Sequence, residues 1–449
     1  MSPTFRALRN PNYRLYLAGS VVSNTGTWLQ RTAQDWLVLK PLHGGGTDLG
    51  IVTALQFLPV LLLTPYAGVV ADRFSKRRML QVTQASMAAA SFLLGVLALT
   101  GLAEIWMVYV IAFLFGIGSA FDVPARQSFV SEMVGPDDLT NAVGLNSASF
   151  NVARILGPAI AGLLIALFGG GATATGIVIL INAVSYLAVI LQLERMNTAL
   201  LHSPKLRARG PGALREGVAY VRTRPTMLYV LVLVFFAGTF GMNFQVTSSL
   251  MATQVFGKGA GEFGVLGSTL AIGSLSGALL AARRTTIPLR LLAFAAAGFG
   301  VAELVGASMP TYLSFAIFCP VIGFCTITLL NSANATMQLT SDPAMRGRVM
   351  ALYMTVVQGG TPIGSPVIGW VGQHLGARWA LWSGGALTLV GVLLAILLLT
   401  RLSRQHRSVL TLPTAPGSLF PRVWDNQAVA RARKASTSQE IEDRAPLPR

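Results

Sequence analysis

Apolar residues gather along the chain in twelve runs, each close to the roughly 20 residues an α-helix needs to cross a bilayer. The runs cover 15–39, 49–71, 79–101, 105–123, 139–168 and 173–193, then 226–250, 261–282, 289–308, 311–334, 349–375 and 379–402. Polar residues punctuate them. A charged stretch, 194–225, separates the first six runs from the second six, and a tail, 403–449, is rich in Arg, Ser and Pro and poor in apolar side chains. Such a tail cannot bury enough apolar surface to fold and is expected to be disordered. The pattern predicts an all-α membrane protein. Its parts are an N-terminal segment (1–14), a six-helix bundle (15–193), a central loop (194–225), a second six-helix bundle (226–402) and the tail. The opening MSPTFRALRNPNYRLY is basic, but the run after it is long enough to span and has no small-residue cleavage site, so it is expected to be a first helix and not a signal peptide. An even number of spans brings both termini to one face.

Composition agrees with this pattern. The chain is 53% hydrophobic and 11% charged, whereas soluble domains carry about 25% charged residues. A net charge of +17 would suit a nucleic-acid partner, but the distribution of the bases argues otherwise. Only Lys40, Lys258 and Arg378 fall in loops on one side, and Arg31 and Arg154 lie inside spans. All the other bases lie on the opposite side, which the positive-inside rule makes the cytoplasm. The expected partners are a lipid bilayer, that of the plasma membrane, and a small-molecule substrate, with no nucleic acid and a monomeric chain. Cys319 and Cys325 share one apolar run at a spacing that suits no metal site or disulfide framework, and are expected to be small apolar fillers.

The sidedness rests most heavily on the turn between the second and third runs, GVVADRFSKRR at 68–78. It packs Asp72 among Arg73, Lys76, Arg77 and Arg78. Bases alone anchor topology, but an acid contributes nothing to that. Asp72 is therefore expected to face the N-terminus of the eleventh helix, whose dipole favours an anion. With Gly68, Arg73, Arg77 and, from FDVPARQSF, Asp122 and Arg126, it would make a cytoplasmic gate. Lys76 and Arg78 are expected only to anchor.

The two sets of six runs echo each other. At one constant spacing Pro136, Leu145, Gly157, Gly162 and Gly169 match Pro343, Leu352, Gly364, Gly369 and Gly376. Gly50 with Asp72-Arg73 likewise finds a degraded echo in Gly264 with Ala282-Arg283, from which the acid is missing. In the fifth run Arg154 precedes Gly157-Pro158 and Gly162. There the proline removes one helix hydrogen bond and the glycines admit a neighbouring backbone.

Ionisable residues inside spans are costly and tend to face a cavity or a partner. Four stand out as candidates for proton coupling: Arg31, Asp35, Arg154 and Glu303. Arg31 and Asp35 are four apart on one helix face and are expected to pair. Asp35 is the first choice for carrying the proton; burial favours its neutral form and a neighbouring arginine its charged one. Arg154 sits near mid-span and is placed to pair with Asp35 or to bind an anionic solute group. Glu303, near an outer end, is expected to snorkel to the headgroups. Polar residues placed to line a solute cavity are Gln34, Asn146, Asn243, Gln245 and Asn331, with Asn151 and Asn334 as further possibilities.

These residues resemble a known family. The 68–78 turn is similar to the cytoplasmic motif G-x-x-x-D-R-x-G-R-R of the major facilitator superfamily, with Ser75 in place of its second glycine. Gly157-Pro158 with Gly162 resembles the fifth-helix antiporter motif G-P-x-x-G-G, with Ala161 in place of its penultimate glycine. Together with FRALRNPNYRLYLAGSVVSNTGTWLQRTAQDWLVL and LTNAVGLN, they resemble the drug:proton antiporter branch, which includes exporters of macrolides, tetracyclines and enterobactin-type siderophores. The resemblance covers all twelve runs and omits the tail. It implies two six-helix bundles related by a pseudo-two-fold repeat and proton-driven export, with the proton gradient as energy source and no cofactor. Many such antiporters carry an arginine in the fourth span; Ala112 stands there, which moves the coupling to Asp35 and Arg154. The alternatives are an importer or uniporter of nutrients or metabolites on the same fold, and a non-transporting membrane sensor. An enzyme is not expected: no metal cluster, nucleophile–base pair or nucleotide loop of the form G-x-x-x-x-G-K-[ST] appears.

Overall fold

Long helices account for most of the computed structural model, which describes residues 3–202, 213–282, 288–343 and 345–407. The first group comprises α1 (Pro11–Leu39), α2 (Gly46–Arg73), α3 (Lys76–Leu99), α4 (Ile105–Met133), α5 (Pro136–Leu167) and α6 (Ala172–Arg195). A short amphipathic helix, α7 (Ala213–Arg222), leads to the second group. There α8 (Pro225–Phe236) and α9 (Phe244–Leu250) make one interrupted rod, followed by α10 (Ala260–Ala282), α11 (Leu289–Ala307), α12 (Tyr312–Thr340), α13 (Arg346–His374) and α14 (Ala377–Arg407). Among the described residues ten helices are long and apolar enough to cross a membrane, the interrupted rod counting as one. The more polar α1 and α13 are each 29 residues long. Arg283 and the tail beyond 407 lie outside the described residues, as do the side chains of Gly68, Asp72 and Arg73.

The α8–α9 rod breaks for a local reason. Gly238 and Gly241 weaken the helix, and Asn243 Nδ2 donates to the Thr239 and Phe240 carbonyls at 2.7 and 3.3 Å, competing with the helix ladder. The result is a π-helical turn, Ala237–Gly241, ahead of α9; a second, Met251–Val255, follows it. Irregular backbone of this kind is tolerated at membrane depth where it lines a cavity.

Within the first group α1 packs on α5 and α6, α2 on α4, and α3 on α4 and α6; in the second α10 packs on α12, α11 on α12 and α14, and α14 on α8. The groups meet along two seams, α2 with α13 and α5 with α10. Each seam is built on glycine, because only a missing Cβ lets helices in lipid approach this closely. A Cβ on Gly50 would sit 2.3 Å from the Ser365 carbonyl oxygen, and one on Gly264 would sit 2.2 Å from that of Pro158. Gly369 meets Gly46 and Gly162 meets Ala260 in the same way.

These contacts are unevenly distributed along the molecule. At the end remote from the 68–78 turn one apolar core runs through both groups, joining Leu37, Leu49 and Val178 to Leu250, Phe263 and Leu381. Towards the turn the core divides. Tyr13, Met79, Phe129 and Leu193 form one cluster in the first group, and Val230, Leu289, Met337 and Tyr353 another in the second. The two groups are thus fused at the end remote from the turn and have separate cores at the end nearest it.

Candidate functional site

Below the fused end lies a cavity of about 260 Å³ between the groups. From α1 come Trp28, Arg31, Thr32 and Asp35, from α2 Thr53 and Phe57, and from α5 Arg154 and Pro158. The broken rod contributes Met242 to Val246 and Ser248, α10 contributes Phe263, Gly267, Leu270 and Ala271, and α13 contributes Thr361 and Ser365. The wall sets aromatic and aliphatic side chains beside ten polar or charged ones, a mixture that can hold an apolar body and fix its orientation.

Asp35 sits at the centre of the polar set. It is 2% exposed, and its Oδ2 accepts from Gln245 Nε2 at 2.6 Å. This hydrogen bond crosses from one group to the other. The expected Arg31–Asp35 pair is not among the ion pairs of the described residues. Arg31 lies instead over Trp28 and Phe57, its guanidinium carbon 5.0 and 5.4 Å from the ring centroids, where the ring faces attract the cation. Arg154 donates to Asn151 Oδ1 at 3.1 Å. The Nε atoms of both arginines are buried without an acceptor.

Two of the expected cavity residues are present, Asn243 and Gln245; Gln34, Asn146 and Asn331 are not among the lining residues. Asn243 holds the broken rod to α13 by accepting from Ser365 Oγ at 2.7 Å. Glu303 departs from its expected place. It is 1% exposed rather than at the headgroups, and its Oε2 has no hydrogen-bond partner. It lies outside the cavity, against Gly241 and Gly384, because α11 turns that face into the second group.

The gate residues separate as well. Arg77 donates to the carbonyls of Leu193 and Glu194, at 2.5 and 3.0 Å, closing the end of α6. Asp122 accepts from Thr83, Gln84 and Arg126 at 3.0, 2.8 and 3.0 Å inside the first group. A single network joining Asp122 and Arg126 to Arg77 is therefore not what the described side chains form. Lys76, expected only to anchor, is 7% exposed and pairs with Glu132 at 2.5 Å, tying α3 to α4. Arg78 is exposed, as an anchor should be. Gly157 lets α5 close on Trp28 of α1, while Pro158 and Gly162 take α10. Trp28, Phe57, Phe244 and Phe263 were not separable by sequence from lipid-facing aromatics; the GTFGMNF glycines, which mark the broken rod, were the available signal.

Comparisons with known proteins identify the family. Over residues 2–416 the sequence matches the family described as transmembrane secretion effector, a branch of the major facilitator superfamily. The multidrug efflux pump Tap of Mycolicibacterium fortuitum is 28% identical over 78% of this chain and 86% of its own length. The staphyloferrin A transporter of Staphylococcus aureus is 26% identical over 60% of this chain and 66% of its own length, just under two thirds. Among solved structures, a bacterial homologue of the human lysosomal transporter Spinster, inward-facing and unoccupied, aligns with a TM-score of 0.68 at 14% identity, over 90% of this chain and 99% of that one. A D-xylose–proton symporter aligns at 0.65 and 12% identity, over 85% and 96%, so the fold alone does not fix the direction of transport. The chain belongs to the transmembrane secretion effector family of the major facilitator superfamily, and is a multi-pass membrane transporter and not an enzyme.

Proposed function

We propose that this protein exports small molecules from the cytoplasm across the plasma membrane in exchange for protons, and that Asp35 carries the proton. One observation carries the reading: the buried Asp35 carboxylate accepts the Gln245 amide across the two groups at the head of the shared cavity. A proton added at that point neutralises the acceptor of a hydrogen bond joining the halves, so protonation and the relative position of the halves are linked. Arg31 and Arg154 complete the coupling set, and no cofactor beyond the proton gradient is required.

In this reading twelve helices span the membrane as two six-helix bundles, α1 to α6 and α8 to α14, with both termini in the cytoplasm. The glycine contacts support the repeat. Gly50 on Ser365 and Gly264 on Pro158 are equivalent when α2 is matched to α10 and α5 to α13, as are Gly162 on Ala260 and Gly369 on Gly46. Division of the core at the basic end supports a cavity reached from the cytoplasm, as export requires. The chain acts as a monomer. Macrolides, tetracyclines and carboxylate siderophores are the first compounds to examine, given the efflux and siderophore relatives.

The test uses inside-out vesicles holding an imposed proton gradient. Accumulation of one of these compounds, abolished by Asp35→Asn at unchanged protein level, is the expected result. Accumulation that survives Asp35→Asn removes the coupling role, and accumulation only in right-side-out vesicles reverses the direction.

A further inference from the structure

The charges that face the cavity are two bases and one acid: Arg31, Arg154 and Asp35. In a confined space of about 260 Å³ they act on anything that enters. Neither arginine is paired with a carboxylate among the described residues. The Nε of each is shut away from solvent and has no acceptor, which is the costly condition for a buried donor. Arg31 lies over Trp28 and Phe57, and Arg154 is steadied by Asn151. The two guanidinium groups, from α1 and α5, are therefore positioned side chains, and what they lack is an anion.

An anion alone would sit badly with proton exchange. Bound between the arginines, it would offset the positive charge that favours the ionised form of Asp35, so substrate and proton would bind together and leave together. Exchange needs the opposite sign: the substrate must compete with the proton for Asp35. A protonated amine does so, because it is the carboxylate that attracts it. Arg31 and Asp35 are about one helical turn apart on α1, roughly 6 Å along the axis, which suits a head group carrying both charges.

We infer that the substrate is an amphipathic zwitterion whose anionic group is held between Arg31 and Arg154, whose cationic amine faces Asp35, and whose aromatic or apolar body lies against Phe57, Phe244 and Phe263. The amine half of this inference rests on proton exchange at Asp35; the anion half rests on the arginines alone. A purely cationic amphiphile leaves both arginines without an anion and binds more weakly than the zwitterion.

A matched set of fluorescent probes tests it with the purified full chain in detergent, at equilibrium and without a gradient. Dansyl-lysine carries both charges, dansylcadaverine only the amine, and 6-(dansylamino)hexanoic acid only the carboxylate. Dansyl-lysine is expected to bind about tenfold more tightly than either analogue, the effect of one charge-assisted hydrogen bond. Arg154→Gln should remove most of that advantage and Arg154→Lys should retain part of it, which separates charge from misfolding. Asp35→Asn should weaken dansyl-lysine while leaving or strengthening the acid. Dansylcadaverine binding as tightly as dansyl-lysine, or an unchanged order in Arg154→Gln and Arg31→Gln, overturns the anion site. The acid binding as tightly as dansyl-lysine overturns the amine contact. Because no gradient is present, these outcomes stand apart from the vesicle result, which alone decides whether protons drive transport.

Discussion

Replacing Gly50 by alanine should hold the transporter open on its outer side. Gly50 lies where α2 crosses α13, and its missing Cβ would fall 2.3 Å from the Ser365 carbonyl oxygen and 2.8 Å from the Pro366 Cα. Ordinary contact begins near 3.4 Å, so the helices must part by about 1 Å, and both obstructing atoms are backbone that cannot swing aside. Overpacking of this kind costs about 1–3 kcal/mol. The cost falls on the outer-closed arrangement alone, since separating the seam removes the clash. That moves the balance between outer-closed and outer-open states by about 5- to 150-fold. Spin labels at Thr100 and Ser308, exposed ends of α3 and α11 in different groups, should report a longer distance in Gly50→Ala. Gly144→Ala is the control, because a Cβ there meets nothing within 4 Å. A distance distribution for folded Gly50→Ala matching both the parent and Gly144→Ala would refute the assignment of this seam as a conformational latch.

Other substitutions test the pieces separately. Gln245→Leu strips Asp35 of the one hydrogen bond the structure gives it across the groups; transport in inside-out vesicles should fall sharply, with a stability loss of about 1–3 kcal/mol for the unpartnered carboxyl. Lys76→Met breaks the Lys76–Glu132 pair, which is 7% and 14% exposed, and should cost about 3 kcal/mol of stability in detergent unfolding. Arg78→Met, on an exposed side chain, should stay within about 0.5 kcal/mol. Equal losses for the two would return Lys76 to a mere topology anchor.

The long apolar runs and the basic turns were legible because lipid imposes them on any spanning chain. The glycine spacing was legible for a similar reason: Gly157, Gly162 and Gly264 sit where backbones nearly touch, and no other residue fits there. Side-chain pairing was not. Arg31 and Asp35 share a helix face, yet Arg31 goes to two aromatic rings and Asp35 to Gln245 from a distant segment. Helical spacing says which residues are able to meet, and tertiary competition decides which do. Glu303 failed in the same way: its position near an outer end suggested snorkelling, but rotation of α11 sends it inward against Gly241. Asp72, the most pointed expectation of the 68–78 turn, has its side chain outside the described residues, so its gating role stands on the sequence argument alone.

On the reading that Asp35 carries the proton, its placement relative to the seams links one carboxyl group to both of them. The α2–α13 seam holds Gly50 on Ser365, and the α5–α10 seam holds Gly264 on Pro158. Ser365 and Pro158 both line the cavity in which Asp35 meets Gln245. Glycine-on-carbonyl contacts are short-ranged and forfeit about a quarter to a half of their dispersion energy within an ångström of separation, which favours closed or parted seams over intermediate ones. A hydrogen bond between the halves, set among such contacts, biases both seams through one rigid-body displacement. Its strength changes with the charge on one carboxyl group. The buried Asp122–Arg126 cluster, whose partners Thr83 and Gln84 lie in the same group, acts as that group's internal brace.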